Sequence, residues 1–558
     1  MGDTPFATES NRRKFLKQAA ITGGVSALAA SLPLGKQAFA FSSYLEGPVV
    51  EVEGGKMRGL IGKDVHIFRG IRYGAPTGGA NRFMPPKKPQ GWLGVWDAFD
   101  FGPSAPQSLS TAPKPKEVGI GTDPAGTPQN EDCLRLNVYT KGVDAAGKRP
   151  VMVFFHGGGY SSGSGSINAY QGENLARSQD VVLVTINHRL NVFGYTYLGD
   201  VIPSGFETSG NAGMLDCVRA LEWIRDNIAS FGGDPGNVTI FGESGGGMKV
   251  SWLMAAPSAK GLFHKAIIES GPGLAMGRPE ATEKGTMALL DALGISKDKA
   301  RDLQMVPQDK LFAAYGQALR KLGGGFGGGG AFSPIVDGVS LLRDPFTPDA
   351  TPESADVALM IGTNRTEMSF FMRGPAADVN MTDDGLKQRL AKTPNFNPKK
   401  VDAVVKAYRK DFPDASPWKL YLIMSSDGFM RAGSITLADR KSAQKAPVYM
   451  YLFDWETPLM GGHMYTMHTL ELPFVFGSIK KATYMVPDTP ETQGLSDNIM
   501  SAWASFARSG NPNTPKLPHW PAYTAKSRET MILNVKSHVE KNPNHAARMA
   551  YAEATKRT

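Results

Sequence analysis

A short run rich in β-branched residues, Asn237 to Phe241, enters Phe-Gly-Glu-Ser-Gly-Gly at 241–246, and a helical stretch through Ala255 follows. Strand, Gly-X-Ser-X-Gly turn and helix in that order leave the chain few options. The turn reverses direction so sharply that strand and helix backbones almost touch, and a Cβ on either flanking glycine would clash. Ser244 is then held above the strand end, with its hydroxyl presented outward, the layout known as a nucleophile elbow. The pentapeptide alone arises by chance in many chains, so its weight depends on its surroundings.

Those surroundings alternate strands and helices. Pro150–Phe155 is fully apolar and runs into His156-Gly157-Gly158-Gly159-Tyr160, and Asp180–Ile186 is a second such strand. Met214–Phe231 has helical spacing with Leu215, Val218, Leu221, Trp223 and Ile228 on one face, stopped by Gly232-Gly233. Further strands are expected at 266–268, 357–361, 448–453 and 530–534, a hairpin at 49–59 and a helix near 496–508. Continuous apolar strands alternating with helices predict an α/β fold: a central, mostly parallel sheet with helices on both faces. Residues 273–330 and 373–445 read as mostly helical insertions, the Pro/Gly/Ser-rich stretch 103–130 as a surface loop, and 323–330 as a glycine-rich lid or slack loop. No clean linker splits residues 41–558, which are read as one domain.

A serine hydroxyl needs a base to act as a nucleophile, and the base needs an acid to orient it. After a G-X-S-X-G elbow the expected order is Ser, Asp/Glu, His. Glu367 follows strand 357–361 in Gly362-Thr-Asn-Arg-Thr-Glu367, and His463 and His468 follow strand 448–453. Strand C-termini are where catalytic groups gather in open α/β sheets. Periodicity alone does not choose between the two histidines. The three glycines at 157–159 supply the other half-site: N–H groups of Gly158, Gly159 and Gly245 are expected to form an oxyanion hole, each donor worth roughly 3–4 kcal/mol in the transition state. No helical His-X-X-X-His pair or cysteine cluster accompanies His463, His468 and Glu471, so neither a metal nor another cofactor is expected.

With these residues in place the chain resembles the type-B carboxylesterases, α/β-hydrolases that include bacterial esterases, mammalian carboxylesterases and cholinesterases. The likeness spans nearly the whole of 41–558. It includes Gly70-Ile-Arg-Tyr73, Glu131-Asp-Cys-Leu134, Asn187-His-Arg-Leu190, Gly210-Asn-Ala-Gly213, Phe231-Gly-Gly-Asp-Pro235, Leu472-Pro-Phe-Val-Phe-Gly477 and Gly510-Asn-Pro-Asn513. The resemblance implies Glu367 as acid and His468 as base, with His463 an ordinary residue. It also implies structural ion pairs Arg82–Glu131 and Arg189–Asp216. The implied reaction is hydrolysis of a small-molecule carboxylic ester through an acyl-enzyme, with activity falling below about pH 6.5 as the base protonates. An amide, lactone or carbamate substrate, or a catalytically silent adhesion module of the same fold, are the alternatives. Departures from the family pattern are Thr366 and Met368 around the acid, Gly245 in place of the usual Ala, and Ala105 where the family's partner of Cys133 would stand. The family's N-terminal disulfide is thus expected to be absent; for Cys217, on a helix, a buried thiol is favoured, with a Cys133–Cys217 bridge as the alternative. No Trp precedes Glu131 in the 108–130 loop, which argues against a choline ester.

The N-terminus carries Asn11-Arg-Arg-Lys-Phe-Leu-Lys17, a weakly apolar stretch to Leu34 and Ala38-Phe-Ala40. This reads as a twin-arginine-type signal peptide over residues 1–40. The expectation is export through the twin-arginine machinery to the periplasm or beyond, with no stable membrane insertion once the signal is removed. Pro33, Gly35 and Lys36 cut the apolar run below the ~20 residues that span a bilayer. The formal charge of +9 is scattered rather than clustered with aromatics, so nucleic acid is not an expected partner.

Overall fold

The computed structural model describes residues 44–108, 127–323, 330–372 and 376–556. Residues 1–40, read above as a signal peptide, most of the 108–130 loop and most of the glycine run 323–330 lie outside them. Residues 46–558 form one compact unit.

The sheet has thirteen strands: β1 (Leu45–Val52), β2 (Gly55–Gly62), β3 (Val65–Arg72), β4 (Val95–Asp97), β5 (Arg135–Thr140), β6 (Arg149–Phe155), β7 (Val182–Ile186), β8 (Gly233–Glu243), β9 (Lys265–Glu269), β10 (Ala358–Asn364), β11 (Val448–Phe453), β12 (Glu529–Leu533) and β13 (His538–Lys541). Their order is β1-β2-β3-β5-β7-β6-β8-β9-β10-β11-β12-β13, with β4 added beside β2. From β7 through β12 every neighbouring pair is parallel, while β2/β3, β3/β5, β5/β7 and β12/β13 are antiparallel. The sheet is therefore mixed, with the expected parallel centre.

Successive strand residues point to opposite faces. All residues of β7, β9, β10 and β11 are buried, so both faces of the centre are covered. One cover is helix α1 (Ala212–Asn227), whose apolar face packs in the main core and which Gly232 closes at φ 73° after a 3₁₀ turn. Another is the 20-residue α4 (Pro490–Ser509), started by a Thr489/Thr492 capping box with Pro490 in its first turn. The mostly helical residues 376–445 build a second cluster around Trp418, Tyr408 and Leu422, joined by Ala547 and Tyr551 of the C-terminal helix.

The implied ion pairs form. Arg82 makes a two-pronged bond to Glu131 at 2.7 and 2.6 Å. Arg189 does the same to Asp216 at 2.8 and 2.6 Å. Both cysteines are buried free thiols, and burial raises both pKa values. Among the described residues no helix is long and apolar enough to cross a membrane.

Candidate active site

Three loops at strand C-termini meet above the sheet centre. The first is the elbow. β8 ends at Glu243, Ser244 takes φ 58° and ψ −122°, and helix α2 (Gly245–Ala255) begins at once. A positive φ at a non-glycine residue costs free energy and persists only where surrounding packing enforces it. Here the enforcement is visible: Ser244 N–H donates to Glu269 O at 2.8 Å. A Cβ on Gly246 would sit 1.9 Å from Phe155 O, and one on Gly242 2.5 Å from the Gly246 carbonyl carbon. Only glycine lets strand and helix approach that closely.

The second loop follows β10. Glu367 is fully buried, and each of its oxygens is engaged. Oε1 accepts from Ser270 Oγ at 2.6 Å and from Asn364 N–H at 2.7 Å, and Oε2 accepts from His468 Nδ1 at 2.5 Å. The third loop follows β11 and carries His468, 2% exposed, just before Thr469 at φ 74°. The structure separates the two histidines: His468 meets Glu367, whereas His463 is solvent-exposed at the end of a short turn. Thr366 joins the second and third loops. Its Oγ1 accepts from Thr466 N–H at 2.9 Å and its own N–H donates to Thr466 O at 3.2 Å. Phe370 and Phe371 flank the imidazole, with ring centroids 5.8 and 5.0 Å away.

His468 Nε2 faces Glu243 Oε1 at 3.1 Å, and among the described residues no hydrogen bond joins it to Ser244 Oγ. The imidazole thus turns toward the residue immediately before Ser244. Burial disfavours its charged form, but Glu243, Glu367 and the Glu367 hydrogen bond outweigh that and raise its pKa to about 9. Glu243 is itself held well above the usual carboxylate range, by burial first and then by Glu471, Glu367 and Glu269, against the pull of His468. Glu269 is raised to about 8 by burial and Glu471, against a hydrogen bond from Trp503 Nε1 at 2.7 Å. Glu471, bonded by Asn364 Nδ2 at 2.5 Å, is raised to about 7 by burial and Glu367. Like charges crowded in a dry site oppose common ionisation. Sequence reasoning gave Glu243, Ser270 and Asn364 no role. The end of strand 266–268 was the available signal for Ser270, because β9 pairs with β8 and ends beside the elbow.

The glycine loop lies against the elbow. Gly157 O accepts from His156 Nδ1 at 2.8 Å, and Gly158 O accepts from the N–H groups of Ser161 and Ser162 at 3.2 Å each. In a trans peptide the N–H points opposite to its C=O. Anchoring these two carbonyls therefore turns the Gly158 and Gly159 N–H groups to the other edge of the loop. Among the described residues no protein acceptor takes either one. The Gly245 N–H is the first of helix α2, where N–H groups lack intrahelical partners. The arrangement offers a strained serine, a carboxylate-anchored imidazole and three unengaged backbone donors. Met368 and Met372 of helix α3 (Met368–Met372) pack against the second core cluster.

Whole-chain comparisons identify the family. The profile of the carboxylesterase family matches residues 46–551. The chain is 36% identical to the para-nitrobenzyl esterase of Bacillus subtilis (strain 168), over 90% of this chain and 97% of that protein. The crystal structure of a Geobacillus stearothermophilus carboxylesterase superposes with a TM-score of 0.76 at 35% identity, covering 90% of this chain and 99% of that one. An esterase from anaerobic Clostridium hathewayi, described as able to hydrolyse aliphatic aromatic polyesters, superposes with a TM-score of 0.80 at 34% identity, covering 92% and 99%. With the α/β-hydrolase sheet these likenesses establish that the chain belongs to the carboxylesterase family and is a carboxylic ester hydrolase.

Proposed function

We propose that hydrolysis runs in two acyl-transfer steps on Ser244, with His468 as base and Glu367 as its orienting acid. His468 Nε2 takes the Ser244 proton as Oγ attacks the ester carbonyl. The tetrahedral oxyanion is held by the N–H groups of Gly158, Gly159 and Gly245. His468 then protonates the departing alcohol, water attacks the acyl-enzyme by the same route, and the acid leaves. The observation that carries this reading is the 2.5 Å bond that His468 Nδ1 donates to Glu367 Oε2 beside a serine at φ 58°. That bond fixes the tautomer with Nε2 free to accept a proton. The mechanism requires Nε2 to turn from Glu243 to Ser244, in keeping with catalytic hydrogen bonds that tighten only when substrate binds.

The test is Ser244→Ala with p-nitrophenyl esters, together with fluorophosphonate labelling located by peptide mass spectrometry. The expected result is a fall in kcat of roughly 10⁴-fold or more with fold retained, and label on Ser244 alone. Native turnover by Ser244→Ala overturns the reading. We further propose export by the twin-arginine route, on the strength of Arg12-Arg13 and the Ala38-Phe-Ala40 site. Replacing both arginines with lysine is expected to leave the enzyme in the cytoplasmic fraction, and unchanged export would exclude this route.

A further inference from the structure

Lys249 lies one turn beyond the elbow on helix α2 and is fully buried. Burying an ammonium group is costly unless its donors are satisfied. Among the described residues it forms no ion pair; its Nζ donates instead to His156 O at 2.8 Å and to Gly159 O at 3.0 Å, and sits 5.8 Å from the Tyr160 ring centre. Those two carbonyls belong to the outermost peptide planes of the His156–Tyr160 segment. The two inner planes are the ones whose carbonyls His156, Ser161 and Ser162 hold. All four consecutive carbonyls are thus anchored, the outer pair by one side chain.

We propose that Lys249 is a positioning residue for ester hydrolysis, clamping both ends of the glycine loop so that the Gly158 and Gly159 N–H groups are aimed before substrate arrives. The inference rests on the reading of those N–H groups as the oxyanion site. Pre-aimed donors stabilise developing charge because no reorganisation is needed at the moment of reaction. Two further observations bear on this role. The loop beyond Tyr160 has its own anchors: Asn191 N–H donates to Tyr160 O at 2.7 Å, Asn191 Nδ2 to Ser161 O at 3.2 Å, and Gly163 N–H to Gln107 Oε1 at 2.7 Å. Lys249 is therefore the clamp for the half that carries the glycines. The second is the setting beneath the loop, where His156 and His188 stack at 5.0 Å with an interplanar angle of 13°. Burial, and next the Lys249 charge, push both imidazoles toward the neutral form, His156 to about 3. A neutral His156 keeps its Nδ1 proton on Gly157 O, and so supports the inner plane that Lys249 frames.

The clamp predicts a loss confined to the transition state. In Lys249→Met, which keeps length and removes the donors, kcat for p-nitrophenyl acetate is expected to fall by about tenfold or more, with KM within about threefold of wild type. The affinity for an aryl trifluoromethyl ketone, which adds to the serine as a tetrahedral adduct, should fall by the same factor as kcat. Lys249→Gln, which keeps an uncharged N–H donor group on a shorter side chain, should fall between wild type and Lys249→Met. Packing damage alone would lower thermal stability and KM-dependent binding without linking kcat to ketone affinity. Should Lys249→Met fail to fold, Lys249→Gln carries the same two readouts. Either variant with kcat within twofold of wild type, or with unchanged ketone affinity, overturns the proposal. A turnover-competent Ser244→Ala would sink the underlying site assignment instead, and a dead Ser244→Ala beside an unaffected Lys249 variant would sink only the clamp.

Discussion

Thr366 and Thr466 hold the loops that follow β10 and β11 together by a reciprocal pair of bonds, Thr466 N–H to Thr366 Oγ1 at 2.9 Å and Thr366 N–H to Thr466 O at 3.2 Å. The first positions the residue before Glu367, the second the stretch two residues before His468. Thr366 thus straps the loop of Glu367 to the loop of His468. Thr366→Val keeps the shape but leaves the buried Thr466 N–H unpaired, at a cost of about 1–3 kcal/mol. Denaturant unfolding should register that loss. If about 1 kcal/mol of it reaches the transition state, kcat falls roughly fivefold. Thr366→Ser, which restores the oxygen, should recover both quantities; a valine variant of native kcat and stability would show the strap to be redundant.

The pH profile tests the electrostatics around His468. In the proposed mechanism its neutral form is the base, so kcat/KM is expected to fall as pH drops through its pKa in the free enzyme. An isolated histidine would place that limb near 6.5. Glu243 and Glu367 raise the group to about 9 against the opposing effect of burial, so the limb should lie on the alkaline side of neutrality. Glu243→Gln removes the larger of those two charge effects while preserving shape, and the limb should move down by about one pH unit or more. Ester hydrolysis measured between about pH 5 and 10 checks both statements. Superimposable limbs for wild type and variant would mean that Glu243 carries no charge when His468 titrates.

The Arg189–Asp216 pair makes a prediction about stability alone. Both side chains are buried, and Arg189 also donates to Met84 O at 2.8 Å and Ala212 O at 3.2 Å, joining an N-terminal loop to α1. Asp216→Asn leaves a buried guanidinium without its counter-charge, which costs about 3–5 kcal/mol. The soluble variant should melt well below wild type yet keep its KM. A kcat loss at unchanged stability would assign the pair a role in the chemistry instead.

Much of this architecture is legible from residue pattern. The strand expected at 448–453 coincides with β11, and those at 150–155 and 530–534 fall within a residue of β6 and β12. Short continuous apolar runs are what a strand covered on both faces requires. The antiparallel flank is harder to read. β3 carries no clean alternation because its register shifts between Phe68 and Ile71 around Gly70 at φ 65°, and its partner β5 buries Arg135 and Asn137. Ser244, Glu367 and the glycine loop stand at strand ends, where position alone marks them. Which histidine meets Glu367 depended on family resemblance, because the 453–468 connection has no period of its own. Lys249 and Glu243 were invisible as participants for a different reason. A lysine or glutamate is expected at the surface, and only the close approach of three loops shows that neither has reached it.

Gly245 offers the most demanding test of how the loop is seated. The family usually has alanine there, so Gly245→Ala would ordinarily be judged harmless. In this structure an added Cβ would lie 2.3 Å from Gly159 O, 2.4 Å from Gly159 Cα and 2.5 Å from Gly159 N. The obstacle is backbone, so no side-chain rotation relieves it, and the glycine loop must retreat. Retreat draws Gly159 O from Lys249 and swings the neighbouring N–H away from the proposed oxyanion site, where losing one donor would cost roughly 3–4 kcal/mol at worst. A partial shift should lower kcat by about tenfold, or ~1.4 kcal/mol, while KM changes less and the fold survives. Gly246→Ala provides the contrast, since its Cβ would meet Phe155 O at 1.9 Å inside the sheet and soluble protein should be lost. Kinetics on p-nitrophenyl acetate, beside a soluble-yield comparison, separate the two positions. Native kcat in Gly245→Ala would mean that the loop can reseat without disturbing its donors, and that glycine and alanine are interchangeable here as they are not at 246.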